Sequence, residues 1–354
     1  MTRLPEPRPD LGLREGYHSP QADVEVRLNT NESPLPPPPE WLAEFRDAVG
    51  RIDYHRYPDR SATRLREALA DLHGVRPQQV FCANGSNEVL QSVCLAYGGP
   101  GRSVATFEPT YALHAHIAHL TGTGVLEAPR AADFSLDLDV VNDVLRGRRP
   151  DITFLCSPNN PTGMAENHST VDAVLAAAPG LVVVDEAYGQ FSDWSALELV
   201  DESVPLVVTR TFSKTWSMAG MRLGYLIGPP PVVDILERVA LPYHLDAVKQ
   251  EAGRLAVRHV AEMEARIGMI VRERERLLRA LASLPVTVWP SQANFVLFRP
   301  EARKGSEVWQ ALLERSVLVR DTSSWPGLSG CLRVTVGTAA ENEAFLTALT
   351  EVLA

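Results

Sequence analysis

The chain has 354 residues, of which 45% are hydrophobic and 22% are charged, a composition typical of a folded globular protein with about two domains. Its net charge of −10 disfavours nucleic acid as a partner, because a phosphate backbone is bound by a basic surface. No apolar run approaches the roughly 20 residues that cross a bilayer, and the first residues lack the apolar core of a secretion signal. We therefore expect a cytoplasmic protein that does not associate with membranes.

The predicted elements begin after an N-terminal arm. The first 40 residues are rich in loops and end in Pro34-Leu-Pro-Pro-Pro-Pro39, a run that lacks backbone donors for a sheet. Short apolar strands then alternate with amphipathic helices, which is typical of a mainly parallel sheet covered by helices on both faces. The predicted strands are 80–83, 103–107, 124–127, 152–156, 181–185, 206–209 and 223–227, with helices at 88–97 and 111–120. This pattern predicts an α/β fold with a seven-stranded type of sheet.

The character of the chain changes near Leu245, where a long charged helical region begins and continues to Leu284. Its acidic and basic residues interleave, which indicates a solvated helix face and not a basic patch. Further predicted strands are 286–288, 295–298, 318–320 and 332–336, with helices at 306–315 and 341–353. We divide the chain into an arm over 1–38 that packs with the small domain, a large domain over 39–246 and a small C-terminal α+β domain over 247–354.

Lys214 is unusual because lysine is rare in this chain. Of 34 basic residues only Lys214, Lys249 and Lys304 are lysines. Lys249 and Lys304 lie in polar surroundings that suit solvated charges, whereas Lys214 follows a predicted buried strand and precedes Arg222 by eight residues. A lysine amine can lose its proton and act as a nucleophile, which a guanidinium cannot do. This setting indicates a Schiff-base lysine with an anion site beside it.

Polar side chains follow several other predicted strands. Asp185 ends the apolar strand 181–185, and a carboxylate buried there needs a cation such as a protonated pyridine nitrogen. Ala187 is small enough for a flat ring to lie against it, and Tyr188 can reach a ring hydroxyl. Ligands of parallel sheets bind at the carboxyl ends of the strands, so these residues favour a ring-shaped cofactor.

A phosphate site is indicated by Ala83-Asn-Gly-Ser-Asn-Glu88, which joins a predicted strand to a predicted helix. Backbone N–H groups at such a helix start can hold a phosphate, and Ser213 and Arg222 can reach the same phosphate. Tyr111 follows another strand and can stack on a ring, and Asn160 can donate an amide hydrogen to a cofactor oxygen. Each segment alone is also explained by ordinary turn or core roles. Their joint position at strand ends favours one site.

The cysteines and a histidine run do not indicate a metal site. Cys82, Cys94, Cys156 and Cys331 are widely spaced, and we expect core thiols. In the run His114-Ala-His-Ile-Ala-His119 only the last two histidines share a helix face, and no acidic or cysteine partner is close. We expect ordinary helix-surface histidines and no metal.

Taken together, these segments resemble fold-type I pyridoxal-phosphate aminotransferases, and within them the histidinol-phosphate aminotransferase family. The resemblance extends over nearly the whole chain. It is carried by 28–34 (LNTNESP), 56–59 (RYPD), 84–88 (NGSNE), 159–163 (NNPTG), 185–188 (DEAY), 211–214 (TFSK), 219–224 (AGMRLG), 242–245 (PYHL) and 332–337 (LRVTVG). Two departures are Asn87, where the family usually has aspartate, and the bulky stretch 215–218, which affects the expected substrate shape.

The resemblance implies that the large domain binds pyridoxal 5′-phosphate. Lys214 would form the Schiff base, Asp185 would pair with the pyridine nitrogen, and these two with Tyr188 would be the catalytic residues. Asn160 and Tyr188 would bind the ring hydroxyl, and Tyr111 would stack on the ring. The phosphate would be held by Gly85, Ser86, Asn87, Ser213 and Arg222, with Tyr57 reaching it from the other subunit of a homodimer that has composite sites.

The resemblance also implies a substrate site and a reaction. Arg333 would bind the anionic group of the substrate, and Tyr17 and Asn31 would complete the site. Apart from the resemblance, Arg320 is the natural second guanidinium for a phosphate, the alternative being a structural ion pair with Asp321. Lys214 would move a proton between the substrate and the cofactor in a ping-pong reaction. The expected reaction is amino transfer between histidinol phosphate and 2-oxoglutarate, with glutamate as the other product, in histidine biosynthesis.

Three alternatives are separable by assay. An aromatic amino acid aminotransferase of the same family would turn over phenylalanine, and a threonine-phosphate decarboxylase would release carbon dioxide from phosphothreonine. A sensor domain of a transcription regulator would bind the cofactor without turnover, but such domains are joined to a basic DNA-binding domain. We expect no such domain in this acidic chain.

Overall fold

The computed structural model describes Glu6, Arg8 and residues 21–354, so Tyr17 lies outside the described residues. The strands are β1 Val26–Leu28, β2 Val80–Ala83, β3 Ser103–Glu108, β4 Gly124–Pro129, β5 Ile152–Cys156, β6 Leu181–Asp185, β7 Leu206–Thr211, β8 Gly224–Ile227, β9 Val286–Val288, β10 Phe295–Pro300, β11 Val317–Asp321 and β12 Leu332–Thr335. The helices are α1 Pro39–Val49, α2 Thr63–His73, α3 Ser86–Tyr97, α4 Leu113–Leu120, α5 Leu138–Asn142, α6 His168–Ala177, α7 Pro230–Val239, α8 Ala247–Ala256, α9 Val260–Leu281, α10 Gly305–Leu313 and α11 Ala339–Leu353. None of these described helices combines the length and apolar character needed to cross a membrane.

The larger sheet has seven strands in the order β2-β8-β7-β6-β5-β3-β4. The pairs from β7 through β4 are parallel, and β8 is antiparallel to both of its neighbours. Every residue of β5 and β6 is buried, which explains their continuous apolar sequence, since helices cover both faces. The predicted mainly parallel α/β fold is confirmed.

The antiparallel strand β8 corrects one detail of the sequence interpretation. We expected all the site residues at carboxyl ends of parallel strands, but Arg222 comes just before β8 begins. Because β8 runs opposite to β7, its start lies at the same sheet edge as the carboxyl ends of the others. Arg222 therefore reaches the predicted edge from the opposite chain direction.

The smaller sheet has five strands in the order β1-β11-β12-β10-β9. Strand β1 comes from the predicted arm and pairs in parallel with β11, with Val26 opposite Val317 and Leu28 opposite Val319. Its core contains aromatic side chains such as Phe295, Phe298 and Phe345, all fully buried. The N-terminal segment is thus part of the small sheet, although it is far along the chain from the other strands of that sheet.

The region after Leu245 is helical, as expected, and ends at Leu281. It is divided into α8 and α9, with a short 3-10 turn between them. Leu255 of α8 belongs to the cluster around Trp41, and α9 contributes Met263 to that cluster and Ile270 and Leu277 to the cluster of the small sheet. Helix α9 therefore packs against both cores.

Candidate active site

A cavity of about 350 Å³ lies where the carboxyl ends of the large-sheet strands face the small sheet. Ligands bind at this edge in open α/β sheets, because the loops that leave the strands diverge there. Most of the predicted site residues line it: Asn31, Ser86, Asn87, Tyr111, Asn160, Asp185, Tyr188, Ser213, Lys214, Arg222 and Arg333. The sequence therefore identified one physical site, although the role of each residue stays a prediction.

Lys214 is partly buried in the loop that follows β7. Its Nζ donates a hydrogen bond to the carbonyl oxygen of Thr30 at 3.0 Å and lies 5.7 Å from the centre of the Tyr188 ring. Burial, with the guanidinium groups of Arg333 and Arg222 nearby, lowers the pKa of the amine to about 7, against the opposing effect of Glu32. A large fraction of this lysine is consequently neutral and nucleophilic near neutral pH.

This lowered pKa predicts the pH dependence of cofactor attachment. Below pH 7 the Lys214 amine is protonated and cannot attack an aldehyde, and above it the amine is neutral. The rate at which apo-protein reacts with pyridoxal phosphate should rise through about pH 7 and level off, whereas an ordinary lysine would continue to gain rate to about pH 10. Stopped-flow absorbance from pH 6 to 10 measures this, with N-acetyl-lysine as the control amine. A rate that still rises at pH 10 would contradict the assignment.

Asp185 is 1% exposed and has several hydrogen-bond partners. One carboxylate oxygen accepts from Thr209 Oγ1 at 3.2 Å and from the backbone N–H of Ala187 at 3.1 Å. The other lies 3.0 Å from Nε2 of His114. A carboxylate held in this way is positioned at the cavity wall, and a cationic ring nitrogen would match its charge.

His114 corrects the expectation of helix-surface histidines. It lies on α4 but is fully buried, with its ring stacked on Phe154 at 4.7 Å and its Nε2 directed at Asp185. Helix α4 directs this side chain into the protein interior and not to the surface.

The start of α3 forms the candidate phosphate cradle. Gly85 has φ of +83°, and a Cβ there would lie 3.0 Å from Nη2 of Arg222. Likewise, a Cβ on Gly224 would lie 2.3 Å from the backbone nitrogen of Ser86, so both glycines permit a close backbone approach. Arg222 Nη1 donates to Ser213 Oγ at 3.3 Å. Backbone N–H groups, a hydroxyl and a guanidinium thus converge at a helix N-terminus.

Tyr111, the candidate for stacking on the cofactor ring, and Asn87 line the cavity beside this cradle. The hydroxyl of Tyr111 donates to Asn87 Oδ1 at 3.2 Å, and its ring meets His114 edge-on at 5.4 Å. Asn87 thereby holds the ring that we predict to stack on the cofactor. An aspartate oxygen could accept the same bond, which explains why this departure from the family pattern is tolerated.

Asn160 and Arg333 are in direct contact. Nη1 of Arg333 donates to Asn160 Oδ1, and Nη2 donates to the carbonyl oxygen of Asn29 at 2.9 Å. With its oxygen bound to Arg333, Asn160 presents its amide nitrogen as a donor. Arg333 comes from the small sheet and Asn160 from the loop after β5, so this contact joins the two sheets at the cavity.

Arg320 lies beside Arg333 on the neighbouring strand. The two are cross-strand partners of β11 and β12, which places their side chains on the same face of the small sheet. Arg320 is 7% exposed and Arg333 is 3% exposed. Among the described residues the cavity lining includes Arg333 but not Arg320. Arg333 is therefore the guanidinium of this pair that faces the cavity.

Tyr57 is far more exposed than the other predicted cofactor contacts. Its side chain is 81% exposed and stacks on Tyr243, with the ring centres 4.5 Å apart. It does not line the cavity of its own chain within the described part of the structure.

The predicted cysteines behave as expected, since Cys82, Cys94, Cys156 and Cys331 are all buried and free.

Comparison with known proteins agrees with this geometry. The family model for aminotransferases of class I and II matches residues 23–349. The chain belongs to the class I and II aminotransferase family. A histidinol-phosphate aminotransferase from Mycobacterium marinum is 44% identical, over 100% of this chain and 96% of that protein. The enzyme of the same name from Rhodococcus jostii is 45% identical, over 98% of this chain and 93% of that protein. The predicted family is confirmed.

Solved structures share the fold of this aminotransferase. Histidinol-phosphate aminotransferase from Sinorhizobium meliloti, in complex with pyridoxal 5′-phosphate, superposes with a TM-score of 0.87 at 24% identity and covers 98% of this chain and 96% of that one. The enzyme of the same name from Clostridium acetobutylicum has a TM-score of 0.85 at 22% identity, over 92% of this chain and 98% of that one. At these identities the likeness concerns the fold.

The residues of this aminotransferase fit a pyridoxal phosphate group. Glycines at the start of α3 leave room where a Cβ would crowd Arg222 and Ser86, next to a guanidinium and a hydroxyl. A buried carboxylate and a lysine with a lowered pKa line the same cavity. The donor set thus matches the phosphate, the ring nitrogen and the aldehyde of the group.

Proposed function

We propose that this aminotransferase moves the amino group between histidinol phosphate and 2-oxoglutarate, using pyridoxal phosphate. The observation that carries the proposal is full-length similarity to histidinol-phosphate aminotransferases, at 44–46% identity over 98–100% of this chain. The buried pair Arg320 and Arg333 supports a substrate with a phosphate group, because a dianion is matched by two guanidinium groups. The proposed reaction consists of two half-reactions in one cavity.

The chemistry divides between the cofactor and the chain. Pyridoxal phosphate, when bound, supplies an aldehyde that condenses with amines and a ring that accepts the electron pair left by proton removal. The neutral amine of Lys214 lines the cavity and would serve as the base that takes the proton from the α-carbon of the amino donor and as the acid that gives it back. Asp185 would keep a proton on the ring nitrogen, and Tyr188 and Asn160 would bind the ring oxygen. Ser213, Arg222 and the N–H groups of α3 would hold the phosphate.

The test is a comparison of amino donors with the purified protein. Formation of glutamate from 2-oxoglutarate is measured with histidinol phosphate, phenylalanine and phosphothreonine, together with carbon dioxide release from phosphothreonine. Preference for histidinol phosphate by at least about 100-fold in kcat/KM supports the proposal. Preference for phenylalanine assigns an aromatic aminotransferase instead, and carbon dioxide release assigns a decarboxylase.

Arg320 should distinguish phosphate-bearing substrates from aromatic ones. Arg320→Ala removes one guanidinium of the proposed phosphate site but leaves Arg333 to bind a carboxylate. We expect kcat/KM for histidinol phosphate to fall by about 100-fold, as for loss of one charge-assisted contact, and that for phenylalanine to change little. Arg299→Ala, at an exposed position of strand β10 in the same sheet, is the control. Equal losses with both substrates would remove the argument for a phosphate site.

We also propose that the active form is a homodimer in which Tyr57 of each subunit completes the site of the other. The support is exposed large apolar residues in two chain segments, Tyr54 with Tyr57 and Leu241 with Tyr243, whose exposed fractions are 65%, 81%, 77% and 41%. The two segments meet where Tyr57 stacks on Tyr243. Such an exposed cluster is typical of a protein interface. The resemblance to the family assigns Tyr57 to the phosphate of the partner site.

Tyr57→Phe tests this assembly. The variant keeps the ring that stacks on Tyr243 but loses the hydroxyl, so the dimer should persist while cofactor affinity falls by about tenfold, the effect of one lost hydrogen bond. Sedimentation gives the assembly state, and equilibrium dialysis gives the affinity for pyridoxal phosphate. Tyr54→Phe, at another exposed tyrosine, serves as the matched control. A monomeric, fully active wild-type protein would contradict the proposal.

A further inference from the structure

Asn31 is fixed by hydrogen bonds of both its backbone and its side chain. It is 1% exposed and has φ of 55°, a left-handed conformation that asparagine tolerates better than most other residues. Its backbone N–H donates to Thr335 Oγ1 at 3.0 Å, and its carbonyl oxygen accepts from Asn294 Nδ2 at 3.1 Å. Both partners come from the small-sheet side of the cavity, so the backbone of Asn31 is fixed to that side.

The side chain of Asn31 has a defined orientation. Thr335 Oγ1 accepts from the Asn31 backbone and donates its own hydrogen to Asn31 Oδ1 at 3.1 Å. The amide nitrogen then points the other way and donates to the hydroxyl oxygen of Tyr188 at 2.9 Å. An amide nitrogen can only donate, so Tyr188 accepts in this contact. The phenolic hydrogen of Tyr188 is therefore donated to a different acceptor.

We infer that Asn31 is a positioning residue that makes Tyr188 a hydrogen-bond donor to the cofactor's ring oxygen. Tyr188 lines the same cavity as Lys214 and Asp185, and it follows the ring-nitrogen candidate Asp185 by three residues. A hydrogen bond donated to the ring oxygen would stabilise negative charge on that oxygen. It would therefore lower the pKa of the proton that lies between this oxygen and the nitrogen of Lys214 when the cofactor is attached. The inference rests on the proposed cofactor site, and it gives Asn31 a role other than contact with substrate.

The test is the pH titration of the visible absorbance of the bound cofactor. Asn31→Asp is isosteric but replaces the donor by an acceptor, which draws the Tyr188 hydrogen away from the cavity. The midpoint of the titration should rise by about one to two pH units, the cost of one hydrogen bond to a charged group. Asn31→Gly, which keeps the left-handed backbone, should raise it by a smaller amount. Thermal unfolding of the apo-proteins checks that each variant folds.

Ser33→Ala is the matched control, because Ser33 lies on the same segment but bonds to Ser217 Oγ and not to Tyr188. Its titration midpoint should equal that of the wild type. A double variant, Asn31→Gly with Tyr188→Phe, should titrate like Tyr188→Phe alone, since Asn31 acts only through that hydroxyl. An additional shift in the double variant, or no shift in either single variant of Asn31, would overturn the inference. Failure of the wild type to bind pyridoxal phosphate would instead overturn the proposed function.

Discussion

Lys214→Ala should abolish amino transfer and covalent attachment of the cofactor. In the proposed mechanism the amine is both the nucleophile for the cofactor aldehyde and the group that moves the substrate proton, so its removal would eliminate two functions at once. We expect kcat to fall by at least about 10⁴-fold and the visible absorbance of the attached cofactor to disappear. The protein should still fold, because the structure gives Lys214 one hydrogen bond, to the carbonyl of Thr30, that alanine loses.

Lys249→Ala is the matched control for this experiment. Lys249 is another of the three lysines and forms an ion pair with Asp246 on α8. Its removal should leave both the absorbance and kcat unchanged, since a surface ion pair contributes about 0 to 1 kcal/mol to stability. Persistence of the absorbance in Lys214→Ala, or its loss in Lys249→Ala, would refute the assignment of the Schiff-base lysine.

Asp185→Asn should reduce kcat by about 10³-fold while the cofactor remains attached. Asparagine keeps the shape of the side chain but removes the negative charge that we propose holds a proton on the ring nitrogen. Without that proton the ring accepts the electron pair poorly, so proton removal from the substrate slows. Single-turnover kinetics with histidinol phosphate separates this step from binding.

Two further variants serve as comparisons for the Asp185→Asn result. Asp201→Asn changes an exposed turn residue that bonds to Ser203, and it should leave kcat unaltered. His114→Asn removes the ring that contacts Asp185 and should give a smaller loss than Asp185→Asn, because the carboxylate keeps its bonds to Thr209 and Ala187. A wild-type rate in Asp185→Asn would exclude the carboxylate from the chemistry.

The sequence permitted prediction of most strands and of the residues at their ends. Strands β5 and β6 were predictable to the residue, because continuous apolar runs followed by polar loops define buried parallel strands. The direction of each strand, and so the sheet edge at which its end lies, was less predictable. Nothing local shows that β8 is antiparallel, and this direction decides how Arg222 reaches the site.

Contacts between distant segments were not predictable from local patterns. The sequence singled out Asn31 and Tyr188, but their hydrogen bond depends on how the arm crosses the cavity. The burial of His114 depends on which face of α4 meets the sheet, and an eight-residue helix with histidines and apolar residues on several sides does not indicate that face. Such features arise from tertiary packing and not from periodicity.

The pairing of β1 with β11 sets the order in which the active site can be assembled during synthesis. Beside this pair, the backbone of Glu25 bonds to Ser316, 291 positions later in the chain. The strands of the large sheet are all complete by Ile227, so that sheet can form on the ribosome much earlier. The segment that contains Thr30 and Asn31 must wait for β11 and β12 to emerge. A truncated nascent chain would therefore have a folded large sheet but an open cavity with Lys214 uncovered.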